Sequence, residues 1–254
     1  MVEPDSRFPE LRALVLAAGK GERLRPLTSS VPKPLIRAGG EPLIAYALSW
    51  LRRFGIRQVA INLHHLGDQI RAAVGDGGAF GVEVHYSEEP EILGTGGAIR
   101  NLAGWLGGGT FVVINADIVH DVDLAALVAL HRARNSLATL ALRPDPESAR
   151  YGEIAIDPDG RIRSFLGVPP VAAELDRLMF TGVQVVEPSI LGRIPWPGAS
   201  SSTQHLYLPL VREGAPLFGL RYEGYWADAG TPASLEALRH DLEVRRVHLS
   251  YRSS

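Results

Sequence analysis

The stretch Leu14-Val-Leu-Ala-Ala-Gly-Lys-Gly-Glu-Arg-Leu-Arg-Pro-Leu-Thr28, followed by Pro32-Lys33-Pro34-Leu35, constrains this chain more than any other. A short aliphatic run that ends in small residues reads as a buried strand. Gly19 and Gly21 then let the backbone turn sharply and expose converging N–H groups. Such a concavity suits an anion, most often a phosphate. Arg23, Arg25 and Lys33 add full positive charges around it. The pattern predicts a polyphosphate held beside a strand end. A dinucleotide fingerprint does not fit, because Leu24 stands where a third glycine is needed and Pro26 bars a long helix there. No G-x-x-x-x-G-K-[ST] loop occurs either.

Composition narrows the partners. The formal net charge of −2 over 254 residues gives no reason to expect nucleic acid or an anionic membrane, so phosphate affinity must come from the local cluster. The absence of cysteine excludes disulfides and thiolate chemistry, and any metal must take oxygen or imidazole ligands. No apolar run approaches the ~18 residues of a membrane span. Residues Met1 to Glu10 are polar and acidic, unlike a secretory signal, which makes the cytoplasm the expected compartment.

Along the chain, residues 11–17 read as the first strand and 23–37 as a long loop stiffened by Pro26, Pro32 and Pro34. Pro42 opens a helix with Leu43, Ala47, Trp50 and Phe54 on one face. Strands follow at 58–63, 82–86, 110–114 and 137–142, alternating with helices at 66–74, after Gly97 and at 124–134. The helix after Gly97 carries Ile99, Leu102 and Leu106 on one side. That rhythm predicts an α/β fold with a mostly parallel sheet covered on both faces. After residue 143 the pattern changes. Segments 151–156 and 161–165 flank Asp157-Pro-Asp-Gly160 as a hairpin, with further strands at 178–186 and 217–222 and a helix at 203–212. The second half therefore reads as a small antiparallel lid. Thr231-Pro232 caps a last helix bearing Leu235, Leu238 and Leu242.

Ligands of open α/β sheets bind at the carboxyl ends of strands. Asp117 ends an apolar strand, where a carboxylate must be paired or hold a cation. Beside a polyphosphate it suits Mg²⁺, with Asp228 in Tyr225-Trp-Ala-Asp-Ala-Gly230 as a second ligand. A capping or turn role is the structural alternative for Asp117. His64-His65 cannot chelate one ion from a strand, since neighbours there point to opposite faces, and the pair reads as surface or loop histidines. Asp121-x-Asp123 could serve a nucleotide-sugar metal, but Leu124 begins a helix directly after it, so capping is at least as good a reading.

Leu16 to Thr28, Pro32-Lys-Pro-Leu35, Leu93-Gly-Thr-Gly-Gly97, Asn115-Ala-Asp117, Tyr151-Gly-Glu153 and Trp226-Ala-Asp-Ala-Gly-Thr-Pro232 together resemble the sugar-1-phosphate nucleotidyltransferase family. They run in that family's order and cover residues 11 to about 240. The resemblance implies a Rossmann-like, GT-A-type α/β fold in one domain spanning 1–254. Its nucleotide-binding half is 11–142, its sugar-binding half is 143–230, and 231–249 form the C-terminal helix. No fused acyltransferase is expected. It further implies that Leu16, Ala17, Ala18, Gly19, Gly21 and Arg23 cradle the NTP phosphates, and that Lys33 bridges the α-phosphate and the incoming sugar phosphate. Glu89, Gly94 and Thr95 would hold the nucleotide. Asn115, Gly152, Glu153, Thr181 and Gly182 would hold the sugar. Asp117 and Asp228 would hold Mg²⁺, with Arg23, Lys33 and Asp117 catalytic. The partners implied are an NTP and a sugar 1-phosphate, with monomer and homo-oligomer both compatible.

Within the family, Glu88-Glu89-Pro90 with Leu93-Gly94-Thr95 resembles mannose- and heptose-1-phosphate guanylyltransferases, while Met179-Phe-Thr-Gly-Val183 resembles N-acetylmuramate-1-phosphate uridylyltransferases. Many members carry Glu-Lys-Pro after the hairpin, its lysine on the sugar phosphate. Here Ser164-Phe-Leu-Gly-Val-Pro169 lacks it, which leaves Arg150 or Arg163 as substitutes or a differently held sugar. Two rival classes are a non-catalytic nucleotide-sugar-binding subunit and a glycosyltransferase using Asp121-x-Asp123. Retention of Arg23, Lys33, Asp117 and Asp228 speaks against the first, and Pro32-Lys33-Pro34 has no task in the second.

Overall fold

Strand β1 (Arg12–Leu16) forms where its aliphatic run demands, with Ala13, Leu14 and Val15 fully buried. The computed structural model describes residues 7–145, 152–171, 174–244, 247 and 249–251. After β1 come β2 (Arg37–Ala38), β3 (Glu41–Pro42) and α1 (Leu43–Arg53). Then follow β4 (Gln58–Leu63), α2 (Gly67–Val74), β5 (Glu83–Glu88), α3 (Gly94–Asn101) and α4 (Ala103–Leu106). Next are β6 (Phe111–Asn115), β7 (Ile118–His120), α5 (Leu124–Ala133) and β8 (Ala138–Arg143). The remainder comprises β9 (Glu153–Ile156), β10 (Ile162–Phe165), β11 (Asp176–Val186), α6 (Leu208–Arg212), β12 (Leu217–Arg221), β13 (Trp226–Asp228) and α7 (Pro232–Glu243).

The chain packs into two units, each assembled from separated segments. The first takes Met1–Ile92, Ile114–Asp121 and Gly224–Ser254. In it β1, β4 and β5 pair in parallel, with Leu14 opposite Ala60 and Ala60 opposite His85. A separate antiparallel pair, β7 and β13, sets Asp228 opposite Ile118. An apolar cluster of Leu24, Ile36, Leu43, Tyr46, Val119, Ala229, Leu235, Leu238 and Leu249 joins the segments. It anchors both flanks of the Pro32-Lys33-Pro34 segment.

The second unit, Leu93–Val113 and Val122–Glu223, is antiparallel through β10, β9, β11 and β8, with β12 parallel to β8. The architecture is the expected α/β one, a mixed sheet flanked by helices. The hairpin forms around Asp157–Gly160, with the Asp157 carboxylate accepting from the amides of Asp159 and Arg161. No helix among the described residues is long and apolar enough to cross a membrane.

Several elements differ from the expectation. The loop at 23–37 contains 3₁₀ turns at Glu22–Leu24, Leu27–Ser29 and Lys33–Leu35, since closely spaced prolines permit single turns but not a helix. The helix expected to run from Gly97 through Leu106 breaks at Leu102, whose ψ of 8° ends α3 before α4 begins. The helix expected at 203–212 starts as a π turn in which the Leu208 amide donates to the Thr203 carbonyl. Pro209 has no N–H to continue the α pattern there. The short strands β7 and β13 were not expected at all. Strand β4 ends at Leu63, so His64 and His65 lie beyond it and bond different carbonyls, those of Glu89 and Thr28. Asp123 caps α5 by accepting from Ala125 and Ala126, and Thr231 forms a capping box with Ser234 on α7.

Candidate active site

The turn after β1 is built around Gly21, which sits at φ 62°, where a side chain is strained. Its carbonyl accepts from the Leu24 amide at 2.9 Å and the Thr28 hydroxyl at 2.8 Å, which closes the turn. Among the described residues none accepts a hydrogen bond from the amides of Gly19, Lys20 or Gly21. These three residues line a cavity of about 470 Å³ together with Glu22, Arg23, Lys33, Ile92, Asp117 and Gly230. Bare amides and three cations at one concavity make a ready anion site.

Gly21→Ala tests the turn. A Cβ there would lie 2.8 Å from the Thr28 methyl and 3.3 Å from the Lys33 Cβ, in addition to the left-handed penalty of about 1–2 kcal/mol. Gly40→Ala carries the same kind of backbone penalty at φ 82°, with nothing within 4 Å of its Cβ. Gly21→Ala is expected to lower Tm more than Gly40→Ala and to weaken NTP binding, which Gly40→Ala leaves intact. Thermal melts with and without NTP read both effects, and equal behaviour of the two variants would refute the role of the turn.

Lys33 opens a 3₁₀ turn after Pro32, and its ammonium contacts the Asp117 Oδ2. The two side chains are 9% and 31% exposed, so the pair is half shielded, with the carboxylate on the wetter side. Asp117 is delivered by the end of β6, where the Ala116 amide donates to Leu16 at 3.0 Å. Asp228 is delivered by β13, and the neighbouring Ala229 amide donates to the Asp117 carbonyl at 3.0 Å. The backbones carrying the two carboxylates are thus laddered together. A Cβ on Gly230 would lie 2.4 Å from Asp228 Oδ2 and 2.7 Å from Arg23 Nη2, so the ends of both charged side chains come close to this glycine.

The other proposed nucleotide residues have structural partners. The Leu16 carbonyl is used by Ala116, and the Ala17 amide donates to Asn62 Oδ1 at 2.8 Å. Asn62 in turn donates to Glu89 Oε1 at 2.8 Å. The Glu89 carboxylate, in a residue only 3% exposed, therefore braces the chain entering the turn after β1 through Asn62. Asn62 was missed from sequence, although a lone amide at the end of an apolar strand was a visible signal. Ala18 is buried beside the turn, and Asn115 ends β6 half-buried.

In the second unit, Gly94 begins α3 at φ 69°, and a Cβ there would meet the Ser200 carbonyl at 2.7 Å. That carbonyl accepts from the Gly96 and Gly97 amides, while Thr95 Oγ1 bonds Ser202. Gly152 has φ 95°, and the Thr181 hydroxyl donates to the Ala141 carbonyl at 2.8 Å. Gly182, at φ 91°, lies where the register of β11 on β8 shifts. Glu153 contacts Arg177. Of the expected substitutes for the absent lysine, Arg163 is engaged with Asp157 at 2.7 Å, and Arg150 lies outside the described residues, as does Tyr151.

Residues 12–244 match the family described as nucleotidyl transferase. The chain belongs to that family. Three relatives and one solved structure show its range. A UTP–glucose-1-phosphate uridylyltransferase of Synechocystis is 32% identical over 94% of this chain and 66% of its own length. A mannose-1-phosphate guanylyltransferase of Mycobacterium tuberculosis is 34% identical over 88% of this chain and 62% of its own. An N-acetylmuramate alpha-1-phosphate uridylyltransferase of Neisseria meningitidis is 34% identical over 89% and 96%. The chain thus spans just under two thirds of the first two relatives. A crystal structure from Bacillus anthracis, provisionally named a glucose-1-phosphate thymidylyltransferase, superposes with a TM-score of 0.78 at 23% identity. It covers 94% of this chain and 97% of its own, which establishes the shared nucleotidyl transferase fold.

Proposed function

We propose that this chain transfers a nucleotidyl group from an NTP to a sugar 1-phosphate, releasing an NDP-sugar and pyrophosphate. The observation that carries the reading is the contact of Lys33 with Asp117 in a cavity lined by Gly19 to Gly21, whose amides have no acceptor among the described residues. The relatives named above act, by their names, on sugar 1-phosphates.

In this reading the amides and Arg23 hold the β- and γ-phosphates. Lys33 exchanges its carboxylate partner for the α-phosphate and the sugar phosphate, neutralising two anions that otherwise repel. The sugar phosphate oxygen is ionised at neutral pH, so in-line attack on the α-phosphorus needs positioning rather than a general base. Asp117 and Asp228 suit Mg²⁺. They are laddered carboxylates beside the cavity, and among the described residues no set of three His, Asp or Glu side chains forms a self-sufficient metal cage. Mg²⁺ takes few protein ligands and completes its shell with phosphate and water. When bound, it supplies Lewis-acid polarisation of a phosphoryl oxygen.

Glu89, Gly94 and Thr95 are assigned to the nucleotide, and Asn115, Gly152, Glu153, Thr181 and Gly182 to the sugar. The chain is assigned over 1–254 to one nucleotidyltransferase domain acting in the cytoplasm. Mannose-1-phosphate guanylyl transfer is the first choice. Uridylyl transfer to N-acetylmuramate 1-phosphate or another hexose 1-phosphate is the second, because two of the three relatives above are uridylyltransferases. A panel of four NTPs against several sugar 1-phosphates, read as phosphate after added pyrophosphatase, tests the reading. Release that requires both substrates and a divalent metal is expected. No release from any pair would overturn the assignment in favour of a binding subunit.

A further inference from the structure

Resting on the reading of the turn after β1 as the triphosphate cradle, we propose that His65 is a positioning residue for that cradle and acts on it through Thr28. The His65 Nε2 lies 2.9 Å from the Thr28 carbonyl. A carbonyl only accepts, so the ring carries its hydrogen on Nε2 and donates it. The buried Thr28 in turn donates its hydroxyl to the Gly21 carbonyl at 2.8 Å. A relay of hydrogen bonds thus runs from His65 to Gly21, which lines the cavity and whose own amide has no acceptor among the described residues.

The end of β4 holds the cradle from both sides. Asn62 accepts from the Ala17 amide ahead of the two glycines, and His65 donates to Thr28 behind them. Between these anchors residues 18–28 form no strand and only isolated 3₁₀ turns, so their own backbone does little to fix the amides. The connection that presents His65 is itself held in a costly shape. Leu66, directly after it, has φ 53° and ψ 34°, a left-handed conformation that disfavours a bulky side chain. Strain of that kind persists only where surrounding contacts impose it, and it gathers at functional sites. Side chains before and after Leu66 supply such contacts, His65 to Thr28 and Gln69 of α2 to the Ser30 carbonyl at 3.1 Å. Both reach the same loop, the second just ahead of Pro32-Lys33.

Titration calorimetry with inorganic tripolyphosphate, which carries neither base nor sugar, reads the cradle on the full chain without catalysis. His65→Leu and Thr28→Val are each expected to weaken binding about 3- to 10-fold, the scale of one hydrogen bond. His65→Gln is expected to recover most of the loss, because its amide nitrogen reaches the place of Nε2. Since His65 works through Thr28, the double variant should bind about as well as the worse single one. Gly40→Ala, a control for lowered stability alone, should bind as wild type does. Wild-type affinity in His65→Leu, equal loss in His65→Gln and His65→Leu, or losses that add in full would each overturn the role of His65 and leave the cradle standing. If His65→Leu fails to fold, Thr28→Val carries the test, and wild-type affinity there overturns the relay. A wild-type protein that binds no tripolyphosphate would take down the reading of the turn as well.

Discussion

Lys33→Ala is expected to lower kcat by about 10²- to 10³-fold, the range found when one preorganised stabiliser of developing charge is removed. Its expected effect on folding is small, about 1 kcal/mol or less, because the pair it breaks is only half shielded. The Asp117 side chain is 31% exposed, so water reaches the carboxylate that the ammonium leaves behind. The partner substitution, Asp117→Asn, is expected to cost at least about 100-fold in turnover through loss of the proposed metal ligand. Since the two groups touch, their losses should not add, and the double variant should fall little below the worse single one. Pyrophosphate release gives kcat, and urea melts give stability. A folded Lys33→Ala protein with wild-type kcat would remove Lys33 from the mechanism.

The second large effect concerns acid. His120 ends β7 fully buried, with its ring edge-on to Trp50 at 4.8 Å and its carbonyl receiving the Tyr251 hydroxyl at 2.7 Å. Burial pushes its pKa from 6.5 down to about 3. The imidazole is therefore neutral in the folded protein when its unfolded counterpart is already taking up a proton. The stability this contributes is complete above pH 6.5 and is lost as pH falls toward 3, at about 1.4 kcal/mol per unit for one proton. Near pH 4.5 the loss reaches roughly 3 kcal/mol, a large share of a typical folding free energy. His131 is also held below its usual pKa by burial, against the opposing pull of Glu187, and acts in the same direction. His120→Leu should lower stability at neutral pH through lost packing yet flatten the acid limb by one proton. Urea denaturation from pH 7 to 4.5 measures the slope, and identical slopes in wild type and His120→Leu would exclude this histidine as the cause.

Much of this was legible in the chain because the responsible forces are local. Glycine at a turn, proline at a helix start and an aliphatic run at a strand each act within a few residues. That is why β1, α1, β4, the hairpin and the Thr231 cap fall where the sequence puts them. The glycine turn after β1 was legible for the same reason. What escaped was set by partners distant in sequence. The three-residue strands β7 and β13 are too short to show a period, yet they bring the Asp117 and Asp228 backbones together. Asn62 gains its meaning only from Ala17 and Glu89, 45 and 27 residues away. Arg177 carries no local mark either, since only the register of β11 on β9 brings it to Glu153, whereas Arg163 stays with the turn that contains its partner.

The first unit is threaded from three separated segments, and its cavity is lined by Gly19 and Gly230 alike. That fixes an order of events during synthesis. A growing chain can pair β1 with β4 and β5 early, but the β7–β13 ladder and the Leu235, Leu238 and Leu249 contacts form only after nearly the whole polypeptide has left the ribosome. Until then Leu24, Ile36 and Val119 lack their late partners in the apolar cluster, so nascent chains halted before Thr231 should be the ones that engage chaperones or aggregate. The cavity between Gly19 and Gly230 is among the last parts of the first unit to be completed.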